Sequence, residues 1–520
     1  MRLFRKGFLP KFFIGILVLL QFAGILALII YLVELSQNTA WMFTLFATIF
    51  FIIVIFEIYI LSSNVPNAFK VSWMWVVACL PIFGIILYII FANKQTSWQN
   101  QKAMYRFAKP IVKNDTQFLT KRNFESNVPT YIPLSNYLER GAGAAVHSHT
   151  LTEYYSVGDQ VFNPLLTDLK KAKHYIFIEF FIIEPGIFFD SIYEILESKV
   201  KEGVDVRIIY DDVGSLSTLP VNFAKKLEKK RIKTLRFNKF RPLLDVRQNN
   251  RDHRKMIVID GYIVYSGGFN LADEYINKKE RFGHWKDNGI RLYGEGCYNY
   301  TLMFLSIWKL YKDQNAIIDK KAYLPSVYIK EAEGVPFNDG YVQPYGDLPF
   351  DKESIGERVY LDIIHKAQKY VYIMTPYLII DEEMENALIE AAKMGIDVRI
   401  VTPAIPDKKA VYNVTRSSYG TLLEAGVKIF EYTPGFVHSK TFLSDDVIAT
   451  VGTFNLDYRS LFLHLELGTV LYKNRCLVNI KKDFAETFKM SHEVSLEEWM
   501  RWKKRNSSYW KLLKIISPFL

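Results

Sequence analysis

Residues 253 to 270 read His-Arg-Lys-Met-Ile-Val-Ile-Asp-Gly-Tyr-Ile-Val-Tyr-Ser-Gly-Gly-Phe-Asn. An apolar run from Met256 to Ile259, a tip at Asp260 and Gly261, and a second run from Tyr262 to Tyr265 follow without a break, which predicts a β-hairpin. Side chains two apart on a strand share a face, so His253 and Lys255 point the same way. An imidazole beside an ammonium, closed by Gly-Gly and Asn270, suits the handling of a phosphate. The pattern returns at His438, Lys440, Asp445, Gly452 and Asn455. In both copies Lys follows His by two, Asp follows Lys by five and Asn follows His by seventeen. One such motif in a long chain recurs by chance, but two with the same trailing Gly and Asn do not sit well with unrelated surface hairpins.

Working outward, the hairpins close two passes of one larger unit. The first has an apolar strand from Tyr175 to Ile183, a helix with Ile192, Ile195, Leu196 and Val200 on one face, and strands at Val204 to Tyr210 and Ile232 to Phe237. The second starts at Tyr370 to Tyr377, passes through a helix with Leu388 and Ala392, and reaches Ile396 to Val401. Gly203-Val204-Asp205-Val206-Arg207-Ile208 matches Gly395-Ile396-Asp397-Val398-Arg399-Ile400. Strands alternating with helices predict an α/β fold of two duplicated halves with mixed sheets, at 151–335 and 336–500. A polar stretch without period, 96–150, reads as a connector. Its His147 and His149 suggest a metal pair only weakly, since no third ligand is near in sequence. Residues 501–520 mix Trp502, Trp510, Lys511 and Lys514 with Leu512, Leu513, Ile515 and Ile516, which suits a tail lying on an anionic surface.

The first 95 residues read as a membrane anchor. Apolar runs at Phe12 to Val33, Trp41 to Leu61 and Val71 to Ala92 each approach the roughly 20 residues a helix needs to cross a bilayer. Arg2, Arg5, Lys6 and Lys11 precede the first run and Lys94, Lys102, Arg106, Lys109 and Lys113 follow the third, so both flanks favour the cytoplasmic side. An even number of crossings satisfies both. Pro81 and Gly84 interrupt the third run, which favours two spans plus a re-entrant or interfacial segment, with three spans as the alternative. The net charge of +11 favours a polyanionic partner, a bilayer or a nucleic acid. Cys79, Cys297 and Cys476 are too scattered for a disulfide framework or a metal cluster.

The paired His-x-Lys-x-x-x-x-Asp motifs resemble those of the phospholipase D superfamily, and the basic, membrane-anchored frame is similar to that of bacterial cardiolipin synthases. The resemblance spans nearly the whole chain. It implies a multi-pass cell-membrane enzyme with a cytoplasmic catalytic part. The implied reaction moves a phosphatidyl group from one phosphatidylglycerol to another, giving cardiolipin and glycerol. Its partners would be phosphatidylglycerol and anionic membrane lipids, with no nucleic acid, metal or cofactor. A membrane-bound hydrolase using water is the alternative that the motifs do not separate.

The candidate catalytic set is His253, Lys255, Asp260, His438, Lys440 and Asp445, with Asn270 and Asn455 as substrate-binding groups. The resemblance makes His253 the nucleophile, giving a phosphohistidine, and His438 general acid then base; the near-symmetric repeats leave the reverse open. Lys255, Lys440 and the two asparagines would hold the phosphate oxygens. An attacking imidazole needs an acceptor on its other nitrogen, and the resemblance assigns that orienting role to Asp287 and Glu466. Asp260 and Asp445 belong to the motif, but at hairpin tips they read as structural turn residues. The chain departs from the family pattern at His464, where related synthases commonly carry Asn.

Overall fold

The computed structural model describes residues 39–63, 65–92, 115–239, 250–329, 339–349 and 353–506, with isolated positions at 27, 31, 514–515 and 517–519. Two compact units divide the chain, Met1–Gln95 with Phe240–Gln248, and Thr96–Lys239 with Asn249–Leu520.

In the N-terminal unit a helix spans Thr39–Ser62, and its stretch Phe43–Ser62, with a mean hydropathy of 2.5, is long and apolar enough to cross a membrane. It is the one such helix among the described residues. The first expected span, Phe12 to Val33, lies outside the described residues apart from Ala27 and Tyr31. The third run is not one span. It folds as two helices, Asn67–Cys79 and Pro81–Phe91, of 13 and 11 residues, each too short to cross alone. Pro81 bars the α conformation at Leu80, which sits at φ −133° and ψ 71°. Gly84 lets the two helices touch: a Cβ there would stand 2.6 Å from the Val76 carbonyl oxygen. The ring of Tyr88 packs edge-on against Trp73 and Phe56.

The larger unit is built on two sheets. The first half supplies β1 (Thr150–Tyr155), β2 (Tyr175–Phe180), β3 (Asp205–Asp211), β4 (Lys233–Phe237), β5 (Met256–Ile259), β6 (Ile263–Gly267), β7 (His284–Lys286) and β8 (Gly289–Gly294). The second supplies β9 (Tyr341–Asp347), β10 (Tyr370–Met374), β11 (Asp397–Pro403), β12 (Lys428–Tyr432), β13 (Gly435–Val437), β14 (Thr441–Ser444), β15 (Ile448–Gly452), β16 (Glu466–Tyr472) and β17 (Ser491–Glu493). The sheet orders are β1-β8-β6-β5-β2-β3-β4 and β17-β12-β11-β10-β14-β15-β16-β9. Both join a parallel trio to an antiparallel hairpin, which is the mixed architecture expected for a doubled unit. The registers repeat as well: Tyr175 faces Asp205, and Tyr370 faces Asp397.

The central strands are largely apolar because both faces are covered, Glu179 in β2 being a buried exception that Arg254 pairs. All six residues of β2 are buried. The helices Asp159–Lys171 and Ile187–Lys201 cover one face with Val161, Leu165, Ile192 and Leu196. The opposite face packs on the helix Cys297–Tyr311, where Phe177 stacks on Phe304 at 4.6 Å. That core is common to both halves, since Met374, Val401, Leu443 and Leu467 belong to it.

Two departures from the sequence reading lie outside the sheets. The expected connector carries helices at Asp115–Asn127 and Ile132–Gly141, which pack through Phe124 on Tyr341 and Tyr472 and through Leu134 and Leu138. So few apolar positions leave little period to read. A C-terminal helix, Leu496–Arg505, runs across the expected boundary at residue 500, and Trp499 anchors it by donating to the Arg416 carbonyl. Within the expected tail, 501–520, residues 507–513, 516 and 520 lie outside the described residues.

Candidate active site

The His-x-Lys triplets lie just ahead of β5 and β14, where backbone from the opposite half meets them. Strand β13 pairs in parallel with β7, matching Gly435 to His284 and Val437 to Lys286, so the chain enters His438 alongside Asp287. The other side uses a shorter bridge, Asp252 to Leu465, with the His253 amide donating to the Leu465 carbonyl at 2.9 Å. That bridge brings His253 alongside Glu466.

Each histidine is therefore held by an acid from the other half. His253 Nδ1 lies 2.8 Å from Glu466 Oε1, and His438 Nδ1 lies 2.7 Å from Asp287 Oδ2. An Nδ1–H donated to a carboxylate leaves the lone pair on Nε2, the atom that can attack phosphorus or take a proton. The acids are held in turn: Asp287 accepts from the Asn288 amide, and Glu466 from the hydroxyls of Ser460 and Thr453. Burial pushes the Glu466 carboxyl well above its usual range, against the pull of Lys255 and these hydroxyls.

Burial sets the charge of the rest of the cluster. It drives His438 down to about 4 with help from Lys440, while Asp287 pulls the other way. His253 is held well below its ordinary value by burial first, then by Lys255, His464, Lys440 and His438. Both imidazoles are neutral at pH 7. Burial also lowers Lys255 to about 8 and Lys440 to about 7, opposed in each case by carboxylates that include both Glu466 and Asp287. The electrostatics of the two motifs thus form one cluster. Each ammonium donates one hydrogen to the carbonyl of its own histidine, Lys255 to His253 at 2.6 Å and Lys440 to His438. An ammonium has three hydrogens, so each lysine retains capacity for a ligand.

The asparagines differ. Asn270 accepts from the Ile182 amide at 3.0 Å and donates to the Tyr275 hydroxyl at 2.8 Å. The side-chain oxygen of Asn455 is buried without a partner among the described residues. The two motif aspartates do not join the catalytic set. Asp260 accepts from the amides of Lys173, His174 and Tyr175, each at 2.8 Å. Asp445 accepts from Gln368, Lys369 and Tyr370. With φ of 47° and 54° at the hairpin tips, both tie the turn to the start of the neighbouring strand and are structural.

Neighbours that the motif spacing does not reveal complete the site. Tyr275 and Trp285 pack against His438, and Phe181 packs against His253. Arg254, between the motif histidine and lysine, is fully buried and paired with Glu179 and Asp252. Setting Gly-Phe-Asn-Leu beside Thr-Phe-Asn-Leu, at 268–271 and 453–456, would have flagged Tyr275 and Ser460 at matching offsets. His253, His464 and Glu466 bring one ligand atom each within 4.8 Å of one another, a spacing that could hold a metal ion. The cations around them oppose a dication there: Lys255 bears on His253, His464 and Glu466, and Arg459 and Arg251 bear on His464. His147 lies elsewhere, bonded to Asn299 at 3.0 Å.

Two α/β halves that exchange acids across a shared pair of histidines and lysines define a duplicated phospholipase D-like fold. The cardiolipin synthase, PLD-like domain family matches residues 165–284 and 360–490. A cardiolipin synthase of Halalkalibacterium halodurans is 31% identical over 92% of this chain and 95% of its own length. The chain belongs to the cardiolipin synthase family. An uncharacterized protein of Streptococcus mutans is 42% identical over 89% of this chain and 99% of its own length. Among solved structures, a phosphatidylserine synthase of Haemophilus influenzae shares the fold, with a TM-score of 0.54 at 16% identity, over 75% of this chain and all of that one.

Proposed function

We propose that this protein is a cardiolipin synthase, a phosphatidyltransferase that converts two phosphatidylglycerol molecules into cardiolipin and glycerol. The observation that carries this reading is the crossed pair of histidine–carboxylate contacts around two lysines with hydrogens to spare. A phosphodiester repels an attacking nucleophile, so its cleavage needs fixed cations and donors around the phosphorus. Lys255, Lys440 and Asn455 fill that role. One neutral imidazole attacks through Nε2, forming a P–N bond while the P–O bond to glycerol breaks. The other imidazole, which takes up a proton at Nε2 as the anionic phosphodiester binds, gives that proton to the departing glycerol. It then takes the proton from a hydroxyl of the second phosphatidylglycerol, whose oxygen displaces the first imidazole. Family resemblance makes His253 the nucleophile. The number of phosphodiester bonds is unchanged, so no nucleotide is consumed.

Anchoring follows the substrate. The apolar helix Thr39–Ser62 keeps the enzyme at the bilayer, where both reactants lie. The basic residues flanking the N-terminal segment favour a multi-pass anchor with the catalytic unit in the cytoplasm. The test supplies purified protein in micelles with labelled phosphatidylglycerol and no nucleotide. Cardiolipin and glycerol released in equal amounts are expected; phosphatidic acid as main product would contradict the transferase.

A further inference from the structure

Two of the positions at which the pseudo-symmetry fails beside the reacting centre bear on charge around the second asparagine and the second acid. Four residues beyond each asparagine the first half has Glu274 and the second Arg459; two residues before each acid it has Trp285 and the second His464. Glu274 is buried and paired with Arg281 at 2.8 Å. Arg459 makes no hydrogen bond or ion pair with its guanidinium among the described residues. Asp457 attracts it from two positions away, but Asp457 Oδ1 caps the Ser460 amide at 2.9 Å. Arg251, its like-charged neighbour, is bonded to Asp211 at 3.4 Å and to the Asn238 carbonyl at 3.1 Å.

His464 is stranger still. Both ring nitrogens are buried without a hydrogen-bond partner among the described residues, and the 3.8 Å from Nδ1 to Glu466 Oε1 is too long for a hydrogen bond. Its ring centroid stands 5.6 Å from that of His253, and the turn that presents it is closed by its own amide donating to the Arg459 carbonyl at 2.9 Å. Buried polar groups left open at a reaction centre are the groups a ligand completes. A neutral imidazole and a forked guanidinium side by side match a phosphodiester anion and the hydroxyl next to it.

We propose that Arg459 and His464 form a second anion subsite, which receives the phosphate of the acceptor lipid while the donor's phosphate reacts at the paired histidines. In cardiolipin one glycerol joins the two phosphates, so a synthase must hold a second anion one glycerol away from the reacting phosphorus. Arg459 forks onto that anion. His464 donates one N–H to it and offers the other nitrogen to the free glycerol hydroxyl. Water and free glycerol carry no anion and gain nothing from the subsite, which therefore selects a lipid acceptor. The inference rests on the synthase reading.

The test gives the full-length enzyme in micelles two acceptors at once, phosphatidylglycerol and labelled glycerol. The donor is common, so the ratio of cardiolipin formed to label exchanged into phosphatidylglycerol isolates the acceptor. Arg459→Gln is expected to lower this ratio about tenfold or more, the loss of a charged hydrogen-bond pair, mainly through a raised KM for the acceptor lipid. Arg459→Lys should recover part of it, and His464→Asn should lower it less. A ratio within about twofold of the wild type would overturn the subsite, whether both rates hold or both fall together. A wild type that exchanges glycerol but forms no cardiolipin would instead overturn the synthase reading.

Discussion

The two histidines share a chemistry but not a setting. Around His438 the site is aromatic, with the rings of Tyr275, Trp285 and Phe436 at 5.4, 5.6 and 6.0 Å. Around His253 the one such ring among the described residues is Phe181, at 5.0 Å, and the rest of the flank is His464 with Arg459 behind it. The features the two sides share are those that bear on phosphorus: the imidazole, the lysine bonded to its own histidine's carbonyl, and the acid from the other half. The features that differ bear on what surrounds the phosphorus. A doubled unit that must seat two unlike participants, one giving a phosphatidyl group and one receiving it, has reason to diverge there and nowhere else.

The shared features make the largest prediction. Asp287→Asn and Glu466→Gln are each expected to cut cardiolipin formation by roughly 10²- to 10⁴-fold with the fold intact, by the tautomer argument that governs His–carboxylate pairs elsewhere. Single-turnover rates of glycerol release measure this. A large effect from one acid and none from the other would break the symmetry at its centre.

The turn aspartates make a smaller prediction. Asp260→Asn and Asp445→Asn each turn an amide N–H towards backbone N–H groups and should lower stability by about 1–3 kcal/mol. Thermal unfolding in detergent would read this, with activity per folded molecule retained. Lost activity in a fully folded Asp260→Asn protein would return that residue to the chemistry.

Much of this was legible in the chain. The hairpins, the doubled α/β unit and the repeated register at Asp205 and Asp397 follow from period and punctuation, which are local. The partnership of Asp287 with His438 is not local. It depends on β7 meeting β13 across 151 residues, and spacing within one half carries no trace of that. The break at Leu80 could be anticipated because proline acts on its immediate neighbour, whereas the connector helices were hidden by having so few apolar positions. Arg459 and His464 were visible only as departures, and a departure shows its meaning once its partners, or their absence, can be seen in three dimensions.

The central claim is that the two halves together pass a phosphatidyl group through an imidazole. Its most direct test is quenching of the enzyme in alkaline denaturant within its first turnover on phosphatidylglycerol labelled at phosphorus. The account predicts label bound to protein through an acid-labile, base-stable bond, absent from both His253→Ala and His438→Ala, and chased into cardiolipin by unlabelled lipid. Full-rate cardiolipin synthesis with no labelled protein at any time point would contradict it.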